Sequence, residues 1–129
     1  MPTGSGVTGG RRALVIDDDA GIRVLLTRIL EKNDFTVEVA RDGAEGIEKL
    51  AAAEFGVIVL DLMMPRLDGI AVVKYLSQYY PEKLPNVIVT TAFGAGALEK
   101  VCPPVHHFLE KPFDVSVLVA QAIDCCRAL

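Results

Sequence analysis

The sequence predicts one α/β domain in which helices cover both faces of a parallel five-stranded sheet. Two observations support this fold class. Short apolar runs alternate with segments of helical periodicity along most of the chain, and such alternation is typical of βαβ units. The runs are also apolar at nearly every position, as expected for strands that are buried on both faces. A length of 129 residues suits one domain and hardly two.

The elements follow one another in a regular order. Five runs have the composition of strands, and they cover residues 13–17, 36–40, 57–60, 87–90 and 105–109. The first helix is predicted from the apolar residues that recur at i, i+3, i+4 and i+7 over residues 22–30, after the candidate N-cap Asp19. Three further helices are expected to begin after Asp42, Asp68 and Asp114.

Two stretches depart from this alternation. Residues 1–10 are rich in Gly, Ser and Thr, and we predict that they are a flexible linker or a remnant of the expression vector. The domain itself is predicted to cover residues 11–129. Between the fourth and fifth strands, two glycines come early and Pro103-Pro104 closes the segment. A fourth helix in that segment is therefore predicted to be short or irregular.

The composition argues against several classes of protein. A net charge of −4 and a pI near 5.1 disfavour direct binding to nucleic acid, which needs clustered Lys and Arg. No apolar stretch approaches the roughly 20 residues that span a bilayer, so we expect no membrane insertion by this segment. The three cysteines lack CxxC spacing, which predicts reduced thiols in a cytoplasmic protein.

Polar side chains end four of the predicted strands, and they suggest phosphoryl chemistry. They are Asp17, Asp18, Asp61, Thr91 and Lys111. Because the carboxyl ends of parallel strands form one crevice, these side chains are expected to converge. Several carboxylates in one crevice favour a hard cation, most plausibly Mg²⁺. The lysine and the threonine would stabilise charge on a phosphoryl group, and Asp61 would be the nucleophile.

Other polar residues near these strand ends are interpreted as structural. Thr90 is predicted to point into or across the sheet. His106 and His107 are adjacent on a strand, so they should point to opposite faces and not form a metal site. Cys125 and Cys126 are predicted to pack in the last helix rather than to carry redox chemistry.

Four fragments together identify a family. The sequences VIDDD, VIVLDLMMPRLDG, VIVTTA and FLEKPF occur in this order at the predicted strand ends. This combination closely resembles response regulator receiver domains, and the resemblance covers roughly residues 12–128. The resemblance implies a doubly wound, flavodoxin-like fold of three layers with strand order 2-1-3-4-5 and five helices.

The resemblance also implies a role for each residue of the acidic site. Asp61 matches the residue that accepts the phosphoryl group. Asp18 matches the acid that binds Mg²⁺ directly, and Asp17 matches its neighbour, which usually acts through water. The third protein contact to the metal would be the backbone carbonyl of Met63.

The remaining matches concern the conformational switch. Thr91 matches the switch hydroxyl, Phe108 the aromatic switch residue and Lys111 the lysine that pairs with the phosphoryl group. The family usually has a cis peptide at the position of Lys111-Pro112, and X-Pro bonds tolerate the cis form.

By this resemblance, the chain takes a phosphoryl group from a phosphohistidine of a sensor histidine kinase or a histidine phosphotransfer domain, and then signals to a downstream protein. Two alternatives stay open. One is a Mg²⁺-dependent phosphatase with an aspartate nucleophile, although its second Asp would fall at Met63. The other is a degenerate receiver that only mediates protein contacts. The sequence leaves open whether the domain stands alone or was excised from a hybrid kinase or larger regulator.

The segment from Thr91 to Lys111 is slightly shorter than the family's pattern. The missing residues fall in the predicted fourth helix, which belongs to a face that many receivers use to dimerise. We therefore do not expect the common symmetric dimer on that face.

Overall fold

A computed structural model describes residues 11–64, 68–91, 105, 107–111 and 114–127. The predicted linker, the segment expected to hold the fourth helix, His106 and Pro112 lie outside these residues. The prediction about the dimerisation face and that of a cis Lys111-Pro112 bond therefore stay predictions.

Five strands and four α-helices alternate in the described part of the chain. The strands are β1 (Arg12–Ile16), β2 (Thr36–Ala40), β3 (Val57–Asp61), β4 (Val87–Thr91) and β5 (His107–Glu110). The helices are α1 (Ala20–Glu31), α2 (Gly43–Ala52), α3 (Gly69–Tyr79) and α4 (Val115–Arg127), and a 3₁₀ helix (Pro81–Asn86) joins α3 to β4. No helix in these ranges is long and apolar enough to cross a membrane.

All strand pairs are parallel, and the order across the sheet is β2-β1-β3-β4-β5. This confirms the predicted doubly wound fold with order 2-1-3-4-5. The order reverses between β1 and β3, and ligands of such sheets bind at the carboxyl ends of the strands near this reversal. The fifth strand was predicted to begin at Val105, which lies outside the strand, and the described strand runs over His107–Glu110 with His107 opposite Ile88.

Two apolar layers hold the sheet between the helices. On one face, Leu14, Ile58 and Val89 belong to a buried cluster with residues of α2 and α3. On the other face, alternate residues of the same strands pack with α1 and α4. Thr90 is buried in β4, as predicted for a side chain that points into a packed layer.

The prediction that every strand is buried on both faces is wrong for β2. This strand is exposed or half-buried at four of its five positions because it lies at the edge of the sheet and pairs with β1 alone. Glu38, at its centre, forms ion pairs with Arg12 of β1 and Lys49 of α2. The edge strand β2 is therefore stabilised partly by ion pairs, whereas β3 and β4 are stabilised by apolar contacts.

Aspartates begin the helices, as the sequence predicts. The carboxylates of Asp19, Asp42 and Asp68 accept hydrogen bonds from backbone N–H groups in the first turns of α1, α2 and α3. Asp114 accepts from the amide and the hydroxyl of Ser116 at the start of α4. These bonds satisfy N–H groups that have no partner inside the helix.

The cysteines of α4 have the predicted packing role. Cys125 is buried against the α1 side of the core and Cys126 is half-buried. Burial raises the pKa of the Cys125 thiol to about 12, so this side chain stays a neutral thiol at neutral pH.

The first residue of α3 packs directly against the end of β3. The amide of Gly69 donates a hydrogen bond to the carbonyl oxygen of Leu62 at 3.2 Å. A Cβ atom at Gly69 would lie 2.4 Å from the carbonyl oxygen of Asp61 and 2.6 Å from the Cα atom of Leu62. Only glycine allows the two backbones to approach this closely, so Gly69 fixes the position of α3 relative to Asp61.

We predict that Gly69→Ala destabilises the domain by about 1–3 kcal/mol, because the added methyl group meets backbone atoms that cannot rotate away. The free energy of unfolding in urea measures this change. Gly21→Ala in α1 is the matched control, since its Cβ would meet only a carboxylate oxygen of the exposed Asp19 side chain, at 3.2 Å. Its gain in helix propensity, about 1 kcal/mol, should offset that contact. A Gly69→Ala domain as stable as the unchanged one would contradict the prediction.

Candidate functional site

The structure brings three predicted carboxylates together at the carboxyl edge of the sheet. Asp17 and Asp18 follow β1, and Asp61 is the last residue of β3. One carboxylate oxygen from each of the three lies within 4.8 Å of the others. Asp17 and Asp61 are buried, at 2% and 3% exposure, whereas Asp18 is exposed. The cluster therefore has two fixed acids at its base and one acid at its mouth.

Lys111 supplies a cation to this cluster. It follows β5, and its backbone amide donates a hydrogen bond to the carbonyl oxygen of Thr91 at 2.7 Å. Its Nζ atom lies 3.1 Å from Asp17 Oδ2 and 3.5 Å from Asp61 Oδ2. Burial alone would lower the pKa of the Lys111 ammonium. The hydrogen bond to Asp17 and the charges of both acids outweigh burial and raise this pKa, so Lys111 stays charged.

Asp61 is held on both carboxylate oxygens. Its Oδ1 atom accepts a hydrogen bond from the amide of Met63 at 3.0 Å, and its Oδ2 atom faces Lys111. Burial, aided by the charge of Asp17, raises the pKa of the Asp61 carboxyl from 3.8 to about 6. The Met63 amide and the Lys111 ammonium act in the opposite direction. Asp61 is consequently ionised at neutral pH but close to its titration range.

The Met63 amide donates to Asp61, and the Met63 side chain is 48% exposed. The role of the Met63 carbonyl as a metal contact stays a prediction. The side chain at this position contains no acid. The proton donor that an aspartate-nucleophile phosphatase would need two residues after Asp61 is therefore missing.

The two predicted switch residues lie on the same face of the sheet. Thr91 is the buried last residue of β4 and follows Val89 by two positions, so both side chains point to one face. Phe108 lies opposite Val89 in the neighbouring strand. It is half-buried and packs against the cluster on the α2 and α3 side. Their roles as a switch stay a prediction.

The donor set fits Mg²⁺. Three carboxylates and one ammonium carry a formal local charge of −2, which a divalent cation balances. Carboxylate and carbonyl oxygens are the ligands that Mg²⁺ takes in proteins. The sequence interpretation did not assign Gly69 a role at this site, because a glycine directly after a capping aspartate also occurs at Asp42-Gly43 and does not by itself indicate a close approach of backbones.

The acidic edge should make stability depend on pH when no divalent cation is present. The folded domain keeps Asp61 protonated up to pH near 6, whereas the carboxyl ordinarily titrates near 3.8. The folded state therefore binds more protons in this window, and the free energy of unfolding falls as pH rises from about 4 to 7. In Asp61→Asn, the decrease in the free energy of unfolding over this pH range should be smaller by roughly 1–3 kcal/mol. Urea unfolding in EDTA measures this difference.

Asp124→Asn serves as the control, because it removes an exposed carboxylate of α4 that lies outside the cluster. This variant should keep the pH dependence of the unchanged domain. The same pH dependence in Asp61→Asn and the unchanged domain would show that burial of Asp61 does not carry the effect.

Comparison with known proteins identifies the family of this chain. The family model described as response regulator receiver domain matches residues 13–123. Response regulator MprA of Mycobacterium ulcerans is 38% identical over 113 residues, which cover 85% of this chain and 47% of that protein. The chain thus spans about half the length of the curated relatives it matches.

Solved structures show the same relationship. The Francisella response regulator 1452 receiver domain is 29% identical with a TM-score of 0.81, and the match covers 92% of this chain and 98% of that one. The receiver domain of a Bermanella marisrubri response regulator is 32% identical with a TM-score of 0.80, covering 89% and 97%. The family match, the sheet order and the acidic edge lead to one conclusion: the chain belongs to the response regulator receiver domain family of two-component signalling.

Proposed function

We propose that Asp61 accepts a phosphoryl group from a phosphohistidine, with Mg²⁺ held by Asp17, Asp18, Asp61 and the backbone carbonyl of Met63. One observation carries this proposal: three carboxylates lie within 4.8 Å of one another, with the Lys111 ammonium 3.5 Å from Asp61 Oδ2. A buried excess of negative charge beside a lysine suits a cation and a phosphoryl group together.

The chemical step is a transfer between two protein side chains. A carboxylate oxygen of Asp61 forms a bond to phosphorus, the phosphorus–nitrogen bond of the donor breaks, and its electron pair stays on the imidazole. Asp61 must be ionised for this attack, and a pKa of about 6 leaves it largely ionised at neutral pH. When bound, Mg²⁺ would neutralise the acids and the phosphoryl oxygens.

Lys111 would respond to the new charge. In the structure, its Nζ atom is closer to Asp17 than to Asp61, so a phosphoryl group on Asp61 would compete for the same ammonium. We propose that Lys111 then pairs with a phosphoryl oxygen and that the Thr91 hydroxyl donates to another. Inward movement of Thr91 would allow Phe108 to change rotamer, which is a population shift between two packings.

The partners follow from this chemistry. We propose a sensor histidine kinase or a histidine phosphotransfer domain as the donor and a protein as the downstream target, in the cytoplasm. We expect no direct contact of this domain with nucleic acid, since its net charge is −4.

Labelling with radioactive acetyl phosphate tests the proposal. The unchanged domain should take up about one phosphoryl group per chain in Mg²⁺ and none in EDTA. Asp61→Ala should abolish labelling, because it removes the nucleophile. Lys111→Met should slow labelling by roughly 10²-fold, since it removes charge stabilisation from the transferred group.

Asp19→Asn is the matched control. Its side chain can still cap α1 and does not belong to the acidic cluster, so this variant should be labelled like the unchanged domain. Labelling that persists in Asp61→Ala would overturn the assignment of the phosphoacceptor. Continuous turnover of p-nitrophenyl phosphate that depends on Asp61 would favour a phosphatase, and a domain that is never labelled would favour a degenerate receiver.

A further inference from the structure

Arg23 belongs to α1, but its side chain turns back to the loop that follows β1. Its Nη1 atom donates a hydrogen bond to the backbone carbonyl oxygen of Asp17 at 2.7 Å, in a half-buried position. Within the described ranges, Arg23 forms no ion pair with a carboxylate. A charged donor makes this hydrogen bond stronger than one between two neutral groups.

This bond completes the fixation of Asp17. The amide of Asp17 donates to the carbonyl oxygen of Ala40 at 3.2 Å. Its Oδ1 atom accepts from the amide of Asp19 at 2.9 Å, and its Oδ2 atom accepts from Lys111 at 3.1 Å. Arg23 supplies the partner for the carbonyl oxygen, so every polar group of Asp17 is held.

Asp18 has no comparable support of its own. Its side chain is exposed, and its carboxylate accepts no hydrogen bond from the residues that the structure describes. The carbonyl that Arg23 holds belongs to the peptide plane that joins Asp17 to Asp18. Because that plane sets the direction in which Asp18 leaves the backbone, the orientation of the Asp18 carboxylate depends on the Arg23 bond.

We infer that Arg23 is a positioning residue, which holds the Asp17–Asp18 peptide so that Asp18 faces Asp61 and the divalent-cation site is formed before the cation arrives. For the cation, this inference rests on the proposed function. The positioning effect of Arg23 and its positive charge change the affinity for Mg²⁺ in opposite directions. The guanidinium repels Mg²⁺, so its removal would tighten Mg²⁺ binding if charge were its only effect, whereas loss of positioning weakens binding.

Titration calorimetry with MgCl₂ distinguishes the positioning effect of Arg23 from its charge effect. Arg23→Met removes both the bond and the charge, and we expect its Mg²⁺ dissociation constant to rise roughly tenfold, as for other residues that orient metal ligands. Arg23→Lys can still donate one hydrogen bond and should recover most of the affinity. Arg28→Met is the matched control, because Arg28 is an exposed arginine of the same helix and should leave the affinity unchanged. Equal or tighter Mg²⁺ binding by Arg23→Met would overturn the inference.

A second measurement needs no cation. Amide hydrogen exchange followed by NMR in EDTA reports the bond from the Asp19 amide to Asp17 Oδ1. In Arg23→Met this amide should exchange roughly fivefold faster. The amide of Glu45, which donates to the α2 cap Asp42, should not change and serves as the internal reference. Unchanged exchange at Asp19 would show that Arg23 does not hold the loop.

The two measurements separate this inference from the proposed function. If the domain without any substitution binds no Mg²⁺, the proposed function and the cation part of the inference are overturned. Hydrogen exchange of the Asp19 amide would then still decide whether Arg23 holds the loop. Normal Mg²⁺ binding and labelling by both the unchanged domain and Arg23→Met would leave the proposed function intact and overturn the inference alone.

Discussion

The repulsion among three carboxylates at one sheet edge is the constraint on which the rest of the structure depends. Asp17 and Asp61 are buried beside each other, with Asp18 at the mouth, and within the described residues the Lys111 ammonium is the one that pairs with both buried acids. Such an arrangement opposes folding, because buried charges lose hydration that one lysine replaces only in part. The apolar layers on both faces of the sheet must therefore supply the stability that this edge removes.

The parallel sheet holds the carboxylates and the lysine of this edge with little conformational freedom. Each comes from the end of a different strand, and neighbouring strand ends are tied by backbone hydrogen bonds such as that from Lys111 to Thr91. Asp17 is held at every polar atom, and Asp61 is held by the Met63 amide and by the backbone contact with Gly69. The acids thus occupy fixed positions, which allows a bound cation to find its oxygen ligands already arranged.

Much of this architecture could be predicted from the sequence, because it depends on short residue patterns. Periodicity and capping aspartates located the helices, and the order of strands and polar strand ends placed Asp17, Asp61 and Lys111 at one edge. The exposure of β2 was missed although the predicted order 2-1-3-4-5 puts this strand at an edge and Thr36 and Glu38 interrupt its apolar run. Arg23 and Gly69 were missed for another reason: a loop carbonyl and a backbone approach give their roles, and neither has a residue pattern of its own.

The ion pairs of β2 have a consequence for how the domain meets other copies of itself. An edge strand presents backbone N–H and C=O groups that a second chain can use to extend the sheet. In β2, Glu38 is bound to Arg12 and Lys49, and Arg41 pairs with Glu45 just beyond the strand. A second chain that paired with β2 would have to dehydrate or rearrange these charges, so this edge resists edge-to-edge aggregation. The acidic site lies elsewhere, at the carboxyl ends of the strands, and stays open to its ligands.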